Sequence, residues 1–211
     1  MAGKFHHEQI FRGAEAMAAL AKARIALCGA GALGSNLADN LARQGVRALR
    51  VIDLDRVEEH NISTQIYGEA EIGAWKAEAL RNRLFRTTGV EIEAIRKELT
   101  ADNAKQFLKD VDLIVDTFDN SRARQTVQGT ARALKTPCLH VGLYADYGEA
   151  VWDEHYRVPR DVAGDVCDYP LARNLVMLTV AVASELALRF ITTGEQHSRS
   201  ITLRDFAIQE M

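Results

Sequence analysis

Three glycines early in the chain have the spacing of a phosphate-binding turn. Gly29, Gly31 and Gly34 fit G-x-G-x-x-G between a predicted strand at 24–28 and a predicted helix near 32–44. In that setting the first glycine makes a tight turn, the second lets the backbone approach a phosphate, and the third lets the helix pack close to the strand. The predicted nucleotide-binding segment is Gly29, Gly31, Ala32, Leu33 and Gly34.

An acid follows at the distance that nucleotide binding requires. The start of the helix offers unpaired N–H groups and the positive end of its dipole to an anion. Asp53 closes the next predicted strand, 48–54, about 20 residues beyond Gly34, where a carboxylate accepts hydrogen bonds from ribose hydroxyls. The turn and the acid together predict a nucleotide site.

Further polar residues at predicted strand ends suit a triphosphate with Mg²⁺. Loops at the carboxyl ends of parallel strands gather around one crevice. Cations there would hold phosphates, and acids would hold the metal ion. The residues are Asp55, Asn61, Gln65, Lys76, Asp116, Asp119, Asn120 and Arg124.

Two other functions are compatible with part of this pattern. The glycine turn with Asp53 alone also fits an NAD(P)-dependent oxidoreductase. Hydride transfer, however, needs an apolar nicotinamide slot, whereas these strand ends carry charges. A nucleotide-binding relative without catalysis is the second alternative.

The order of the predicted elements indicates an α/β fold with a Rossmann-like, doubly wound, mostly parallel sheet and a C-terminal antiparallel extension. Residues 1–22 are read as an N-terminal helical arm and 153–170 as a crossover loop within a single domain, 1–211. The predicted strands are 24–28, 48–54, 90–95, 111–117, 137–143, 147–152 and 200–206. The predicted helices are 8–22, 32–44, 71–87, 102–109, 121–135 and 171–193.

Composition narrows the class of protein. The chain has 211 residues, 47% of them hydrophobic, and a net charge of −3, so we expect a globular core and no nucleic-acid partner. The apolar stretch 175–191 is short for a bilayer span and is read as a core helix. No signal peptide is read, and three dispersed cysteines favour a reducing, cytoplasmic setting. We therefore expect no membrane partner.

Five segments, in order, resemble the ThiF/MoeB/HesA family, whose adenylating fold is shared with ubiquitin-activating enzymes. GAWKAEAL matches the lysine helix of the family, and DTFDNSRAR matches its D-x-x-D-N-x-x-x-R signature. The segment that begins with GDVC matches its crossover cysteine and long core helix. The segments are GAGALGSN, DLDRVEEHNISTQ, GAWKAEAL, DTFDNSRAR and GDVCDYPLARNLVMLTVAVASELALRFITTG.

The resemblance implies an ATP-dependent adenylyltransferase. The C-terminal carboxylate of a small β-grasp protein, ubiquitin-like or a sulfur carrier, would attack the α-phosphorus of ATP, pyrophosphate would leave, and sulfur or a thiol would then displace AMP. Asp53 would hold the ribose and Asp119 would bind Mg²⁺. Phosphate contacts are implied for Asn61, Lys76 and Arg124. A homodimer is also implied.

The chain departs from the family pattern at two positions. Thr64 stands where the family usually has arginine, and Glu8 stands where an arginine finger often lies. Arg12 is near enough in sequence to substitute for the finger and reach a partner subunit. These differences leave open a slower or altered enzyme.

Several other side chains have both a functional and a structural interpretation. Cys167 precedes a predicted helix, whose N-terminus favours a thiolate, and the resemblance makes it a candidate for covalent linkage to the carrier. Arg160 and Arg173 are either solvated or face the acyl phosphate or the carrier tail. We expect core positions for Cys28, Cys138, Ile72 and Trp75, and a structural role for His140.

Overall fold

The computed structural model describes residues 3–160 and 170–211 and confirms the predicted α/β class. Most predicted boundaries agree with the observed ones within two or three residues. The strands are β1 (Arg24–Cys28), β2 (Ala48–Ile52), β3 (Glu93–Ile95), β4 (Leu113–Asp116), β5 (Cys138–Tyr144), β6 (Tyr147–Trp152), β7 (Arg199–Thr202) and β8 (Ala207–Glu210). The α-helices are α1 (His6–Lys22), α2 (Ala32–Arg43), α3 (Lys76–Thr88), α4 (Ala104–Leu108), α5 (Ser121–Leu134) and α6 (Arg173–Thr193).

One sheet contains all these strands in the order β3-β2-β1-β4-β5-β6-β7-β8. The first five are parallel, and β5 to β8 pair antiparallel, which confirms the predicted C-terminal extension. The chain builds outward from β1 in one direction and then returns to β1's other side at β4. The boundary between β1 and β4 is therefore the point at which ligands bind in doubly wound sheets.

Both faces of the sheet are covered by helices. Ile25 and Leu27 of β1 face a core that includes residues of α2, α3 and α6, whereas Ala26 and Cys28 face a core with α4 and α5. This alternation follows from the two-residue period of a strand. Cys28 and Cys138 are buried, as predicted.

The predicted helix over 71–87 begins later than expected. A 3₁₀ turn spans Glu69–Glu71, and α3 starts only at Lys76 because Gly73 has φ of +85° and Trp75 is extended. Ile72 consequently lies outside the helix and is exposed, contrary to its predicted core position. Trp75 is only partly buried and has Arg56 stacked on its ring, with 3.7 Å from the guanidinium carbon to the ring centroid.

The predicted final strand, 200–206, ends earlier than expected, and a further strand follows it. β7 ends at Thr202, a turn follows in which Phe206 has a positive φ, and β8 then pairs back onto β7. Sequence reasoning missed β8, a four-residue edge strand with mostly exposed side chains.

The structure describes part of the predicted N-terminal arm and part of the predicted crossover loop. α1 is interrupted at Gly13, whose φ is +84°. In the predicted crossover, residues 153–160 are neither helix nor strand, and residues 161–169, including Cys167, lie outside the described residues.

α6 has the length and apolar composition of a membrane span, but half of its most apolar window is buried, in agreement with a core helix.

Candidate functional site

The ends of β1, β2 and β4 bring the glycine turn, Asp53 and the DTFDN segment to one edge of the sheet. Cys28 lies opposite Ile52 on one side and Asp116 on the other. The backbone N–H of Gly29 donates to the carbonyl of Ile52 at 2.9 Å, and that of Thr117 donates to Cys28 at 2.9 Å. The three loops therefore begin side by side.

The three glycines of the turn differ in backbone conformation and in the space that a side chain would have. Gly29 has φ of +100°, a conformation that side chains rarely adopt. A Cβ on Gly34 would overlap the carbonyl oxygen of Gly29 and lie 2.7 Å from Thr117 Oγ1. The close packing at this position therefore requires glycine. A Cβ on Gly31 would meet none of the described atoms within 4 Å, and this residue precedes α2. The open side of the turn therefore lies at the start of α2.

Asp53 is held by the glycine turn itself. The side chain is 7% exposed, and its two oxygens accept hydrogen bonds from the backbone N–H groups of Ala30 and Asp55, both at 2.7 Å. Burial raises the pKa of Asp53 to about 6, while Lys76 and the Ala30 N–H oppose that shift. The carboxylate thus sits at the turn with its geometry set by the backbone.

Tyr67, which sequence reasoning missed, connects the glycine turn to Lys76. Its hydroxyl lies 2.9 Å from the carbonyl oxygen of Ala30 and 3.2 Å from that of Lys76. Burial raises the pKa of Tyr67 well above its usual value, so the group stays a neutral donor. Lys76 is 8% exposed, and its Nζ lies 3.1 Å from Asp55 Oδ2. The lysine therefore stands beside the turn, paired with an acid.

The loop over 61–65 packs on the first turn of α2. Asn61 Oδ1 accepts from the N–H of Glu58 at 3.0 Å, and Asn36 Nδ2 donates to the carbonyl of Thr64 at 2.9 Å. Gln65 is buried, and its Oε1 has no hydrogen-bond partner among the described residues. Buried acceptors normally have a donor, so a ligand hydroxyl or amine would satisfy this atom.

Asp119 and Asn120 lie in the turn between β4 and α5. Asp119 is exposed, and Asn120 Nδ2 lies 3.3 Å from its Oδ1. Asn120 Oδ1 accepts from the N–H of Ala123 at 2.9 Å and caps α5. The cap fixes the side chain of Asn120, whose amide group contacts the exposed carboxylate of Asp119.

Arg124 has partners that the sequence did not reveal. It is 7% exposed and donates to the hydroxyl of Tyr156 and to the carbonyl of Val141, both at 2.9 Å. Its guanidinium also lies 3.7 Å from Asp116, which is fully buried. The expected phosphate contact would require the guanidinium to leave these partners. In this structure Arg124 instead stabilises the buried side chains at the end of β4.

His140 belongs to the same buried network, as its predicted structural role implies. Its Nδ1 lies 2.8 Å from Asp116 Oδ2, its Nε2 lies 3.3 Å from Asp153 Oδ1, and its ring stacks on Tyr156 at 3.8 Å. These contacts join β4 and β5 to the segment after β6 and keep the end of β4 in place.

The family follows from comparison with known proteins. A model of the ThiF family matches residues 6–159. The chain belongs to the ThiF family. It is 31% identical over 210 residues to the sulfur carrier protein ThiS adenylyltransferase of Bacillus subtilis, covering 93% of this chain and 62% of that protein. It is 31% identical over 156 residues to the sulfur carrier protein adenylyltransferase of Thermus thermophilus, covering 72% and 58%.

Solved structures agree on the fold of this ThiF-family chain. MccB of E. coli, crystallised with MccA-N7isoASN, superposes with a TM-score of 0.84 at 15% identity, covering 99% of this chain and 72% of MccB. The ThiF-family chain therefore spans 58% and 62% of the two curated relatives and most, but not all, of MccB.

Arg12, which was expected to substitute for an arginine finger, forms ion pairs within this ThiF-family chain. Arg12 donates to Glu8 within α1 and to Glu185 of α6, each at 2.7 Å, and the second contact joins the first half of α1 to α6. Hydrogen bonds to both carboxylates help raise the pKa of Arg12 against an opposing effect of burial. The predicted reach of Arg12 into a partner subunit would require both ion pairs to break.

The carboxylate of Asp119 fits a Mg²⁺ ion that is bound mainly by nucleotide phosphates. Among the described residues, no group of three or more His, Cys, Asp or Glu side chains could enclose a metal. Mg²⁺ in nucleotide sites is usually bound by one or two carboxylates together with phosphates and water. The exposed carboxylate of Asp119 fits that arrangement.

Nucleoside affinity is expected to decrease below pH 6 because of Asp53. Each of its oxygens already accepts one backbone N–H group, so a ribose hydroxyl must donate to a remaining lone pair. The ionised carboxylate has more such lone pairs than the protonated acid, which uses one oxygen to hold its proton. With a pKa of about 6, the carboxylate is ionised above that pH, and adenosine affinity should fall about tenfold per unit below it. Calorimetric titration with adenosine measures this without interference from the titrating phosphate of ATP.

Asp53→Asn is the matched control, with weak affinity that does not change between pH 5 and pH 8. The unliganded protein should show the opposite trend in stability. Because the folded pKa exceeds the unfolded value, the contribution of Asp53 to the free energy of unfolding decreases as pH rises from about 4 to about 6. A wild-type adenosine affinity that is constant across pH 6 would contradict the role of Asp53.

Proposed function

We propose that this chain uses ATP to adenylate the C-terminal carboxylate of a small β-grasp protein of the ubiquitin-like or sulfur-carrier class. The observation that carries the proposal is the chain of contacts from Asp53 through Ala30 and Tyr67 to Lys76, which joins an acid for ribose to a cation for phosphate. The Bacillus and Thermus relatives are both sulfur carrier protein adenylyltransferases, which supports this acceptor class.

The nucleoside would be held by two buried acceptors. Asp53 would accept hydrogen bonds from the ribose hydroxyls, and Gln65 would offer its unpaired Oε1 to a second donor. Asp55, which fixes both Asp53 and Lys76, would act by positioning them. These contacts fix the nucleoside relative to the glycine turn.

The phosphates would lie at the start of α2. Gly31, Ala32 and Leu33 bring its first N–H groups there, and the helix dipole favours an anion. Lys76 would exchange its contact with Asp55 for a phosphate oxygen, with the amide of Asn61 as a further donor. Negative charge moves to the leaving pyrophosphate during the reaction, so fixed cations stabilise the transition state more than the ground state.

Asp119 would bind Mg²⁺, and Asn120 would keep that carboxylate oriented while it caps α5. The ion would screen the phosphates and stabilise the departing pyrophosphate. Arg124 would keep Asp116 and the end of β4 in register with this turn, because its guanidinium faces Asp116 rather than the surface.

The acceptor needs no general base, because a carboxylate is already ionised at neutral pH. Its oxygen would attack the α-phosphorus, the bond to the bridging oxygen would break, and an acyl adenylate and pyrophosphate would form. A thiolate would then attack the acyl carbon and AMP would leave. The proposal that Cys167 supplies this thiolate concerns a residue outside the described part of the chain.

The test is ATP–pyrophosphate exchange with purified candidate β-grasp proteins that end in Gly-Gly. We expect exchange only when the intact carrier is present, and none with a carrier lacking its last residue. ATP binding without exchange or AMP formation for every carrier would instead identify a non-catalytic relative. Tight NADH binding without ATP binding would indicate the oxidoreductase.

We also propose a homodimer and a cytoplasmic location. Ile10 and Phe11 on α1 are 70% and 79% exposed, which is unusual for large apolar side chains and suits contact with a second copy. Sedimentation at micromolar concentration measures the association state. A monomer throughout that range would remove the dimer from the proposal.

A further inference from the structure

Arg173 lies over the loop that follows β2. It is the first residue of α6, its side chain is exposed, and its NH1 lies 3.4 Å from the carbonyl oxygen of Ser63. A single hydrogen bond of this length leaves most of the five guanidinium N–H donors for other acceptors. The arginine therefore reaches this loop from a distant part of the chain without being fully engaged there.

The loop that Arg173 contacts is bonded to the start of α2. The carbonyl of Thr64 accepts from Asn36 at 2.9 Å, and the N–H of Ile66 donates to Ser35 Oγ at 3.3 Å. Ser35 in turn donates its N–H to the carbonyl of Gly31 at 3.0 Å. The loop that Arg173 contacts is therefore connected by hydrogen bonds to the start of α2, where the glycine turn ends.

The positive charge of Arg173 opposes the dipole of α6, because the residue lies at the first position of the helix. The first turn of α6 contains no acidic residue, and its cap has no side-chain hydrogen bond. A cation at a helix N-terminus opposes the dipole at a cost of about 0.3–1 kcal/mol. An anion between Arg173 and the loop would interact favourably with both the guanidinium and the helix end.

Other cations near the turn already have acidic partners. Lys76 is paired with Asp55 at 3.1 Å, and Arg124 lies in the buried network with Asp116. The loop itself presents Thr64 and the buried, unpaired oxygen of Gln65. A triphosphate carries more charge than Lys76 alone can neutralise.

We propose that Arg173 binds the polyphosphate of the nucleotide, supplying from α6 the guanidinium that the 61–65 loop lacks at Thr64. This inference deepens the proposed function and depends on it for the identity of the nucleotide. Arginine suits the role because its planar fork can donate two parallel hydrogen bonds to phosphate oxygens.

Calorimetric titration of the full chain with MgATP and with adenosine tests the proposal. We expect Arg173→Ala to weaken MgATP binding about tenfold to a hundredfold, the range for loss of a hydrogen bond to a charged group. Adenosine affinity should be unchanged, because the ribose contacts of Asp53 are intact. Arg173→Lys should keep part of the MgATP affinity, since the charge remains but the fork is lost.

The matched control removes an arginine elsewhere on the surface. Arg204 lies exposed in the turn after β7, and Arg204→Ala should leave both affinities unchanged. Thr64→Arg in the Arg173→Ala background should recover most of the MgATP affinity, because it places a guanidinium one residue from the Ser63 contact. Unchanged MgATP binding in Arg173→Ala, or equal losses for MgATP and adenosine, would overturn the proposal.

The outcome is separable from that of the proposed function. Wild-type protein that binds MgATP through Arg173 but supports no exchange with any carrier would reject adenylation and keep this assignment. Carrier-dependent exchange with an Arg173→Ala variant of normal MgATP affinity would reject this assignment alone.

Discussion

Asp119→Asn is expected to lower the rate of carrier-dependent ATP–pyrophosphate exchange about 10²–10³-fold, by analogy with the loss of one fixed group that stabilises transition-state charge. The substitution keeps the shape of the side chain and an oxygen that can accept from Asn120, but removes the negative charge that would bind Mg²⁺. Because Asp119 is exposed, the melting temperature should not change. Exchange rates measured across a Mg²⁺ titration, with calorimetric melting, provide both readouts.

Asp102→Asn is the control, an exposed acid in the turn before α4. It should leave the exchange rate and its Mg²⁺ dependence unchanged. If Asp119→Asn retains the wild-type rate at limiting Mg²⁺, Asp119 does not bind the metal ion.

Arg124→Ala is expected to lower the free energy of unfolding by about 3–5 kcal/mol, as for removal of one partner from a buried ion pair. Asp116 is fully buried, so loss of the nearby guanidinium leaves its Oδ2 with His140 Nδ1 as the remaining side-chain contact among the described residues. The hydroxyl of Tyr156 and the carbonyl of Val141 also lose a donor. Urea denaturation monitored by circular dichroism measures the change.

Arg43→Ala provides the comparison, because the Arg43 side chain is mostly exposed and pairs with Asp39 one turn away on the same helix, a contact that should contribute about 0.3–0.5 kcal/mol. Adding Asp116→Asn to Arg124→Ala should cost less than the sum of the single changes, since no uncompensated charge remains. Strict additivity, or an effect of Arg124→Ala as small as that of Arg43→Ala, would show that the buried pair does not stabilise the fold.

Local patterns were sufficient to predict most of the helices and strands and the polar residues at the strand ends. The apolar runs of β1, β2 and β4 are continuous because both faces of a parallel sheet are buried, so they are readable without a partner strand. The glycine turn and Asp53 follow from the same pattern, because residues after parallel strands meet at one edge. Patterns failed at Ile72 and in the stretch after β7, where Gly73 and Phe206 adopt positive φ and interrupt an otherwise periodic sequence.

The sequence by itself thus determined the fold class, the nucleotide-type turn and the family, because each depends on residue type at short, regular spacing. Only the tertiary structure decided that Tyr67 connects Ala30 to Lys76, that Arg124 points inward to Asp116, and that Arg173 reaches Ser63 from a helix 110 positions away. Side-chain direction and contacts between distant segments depend on how the helices pack on the sheet, and local periodicity carries no information about that packing.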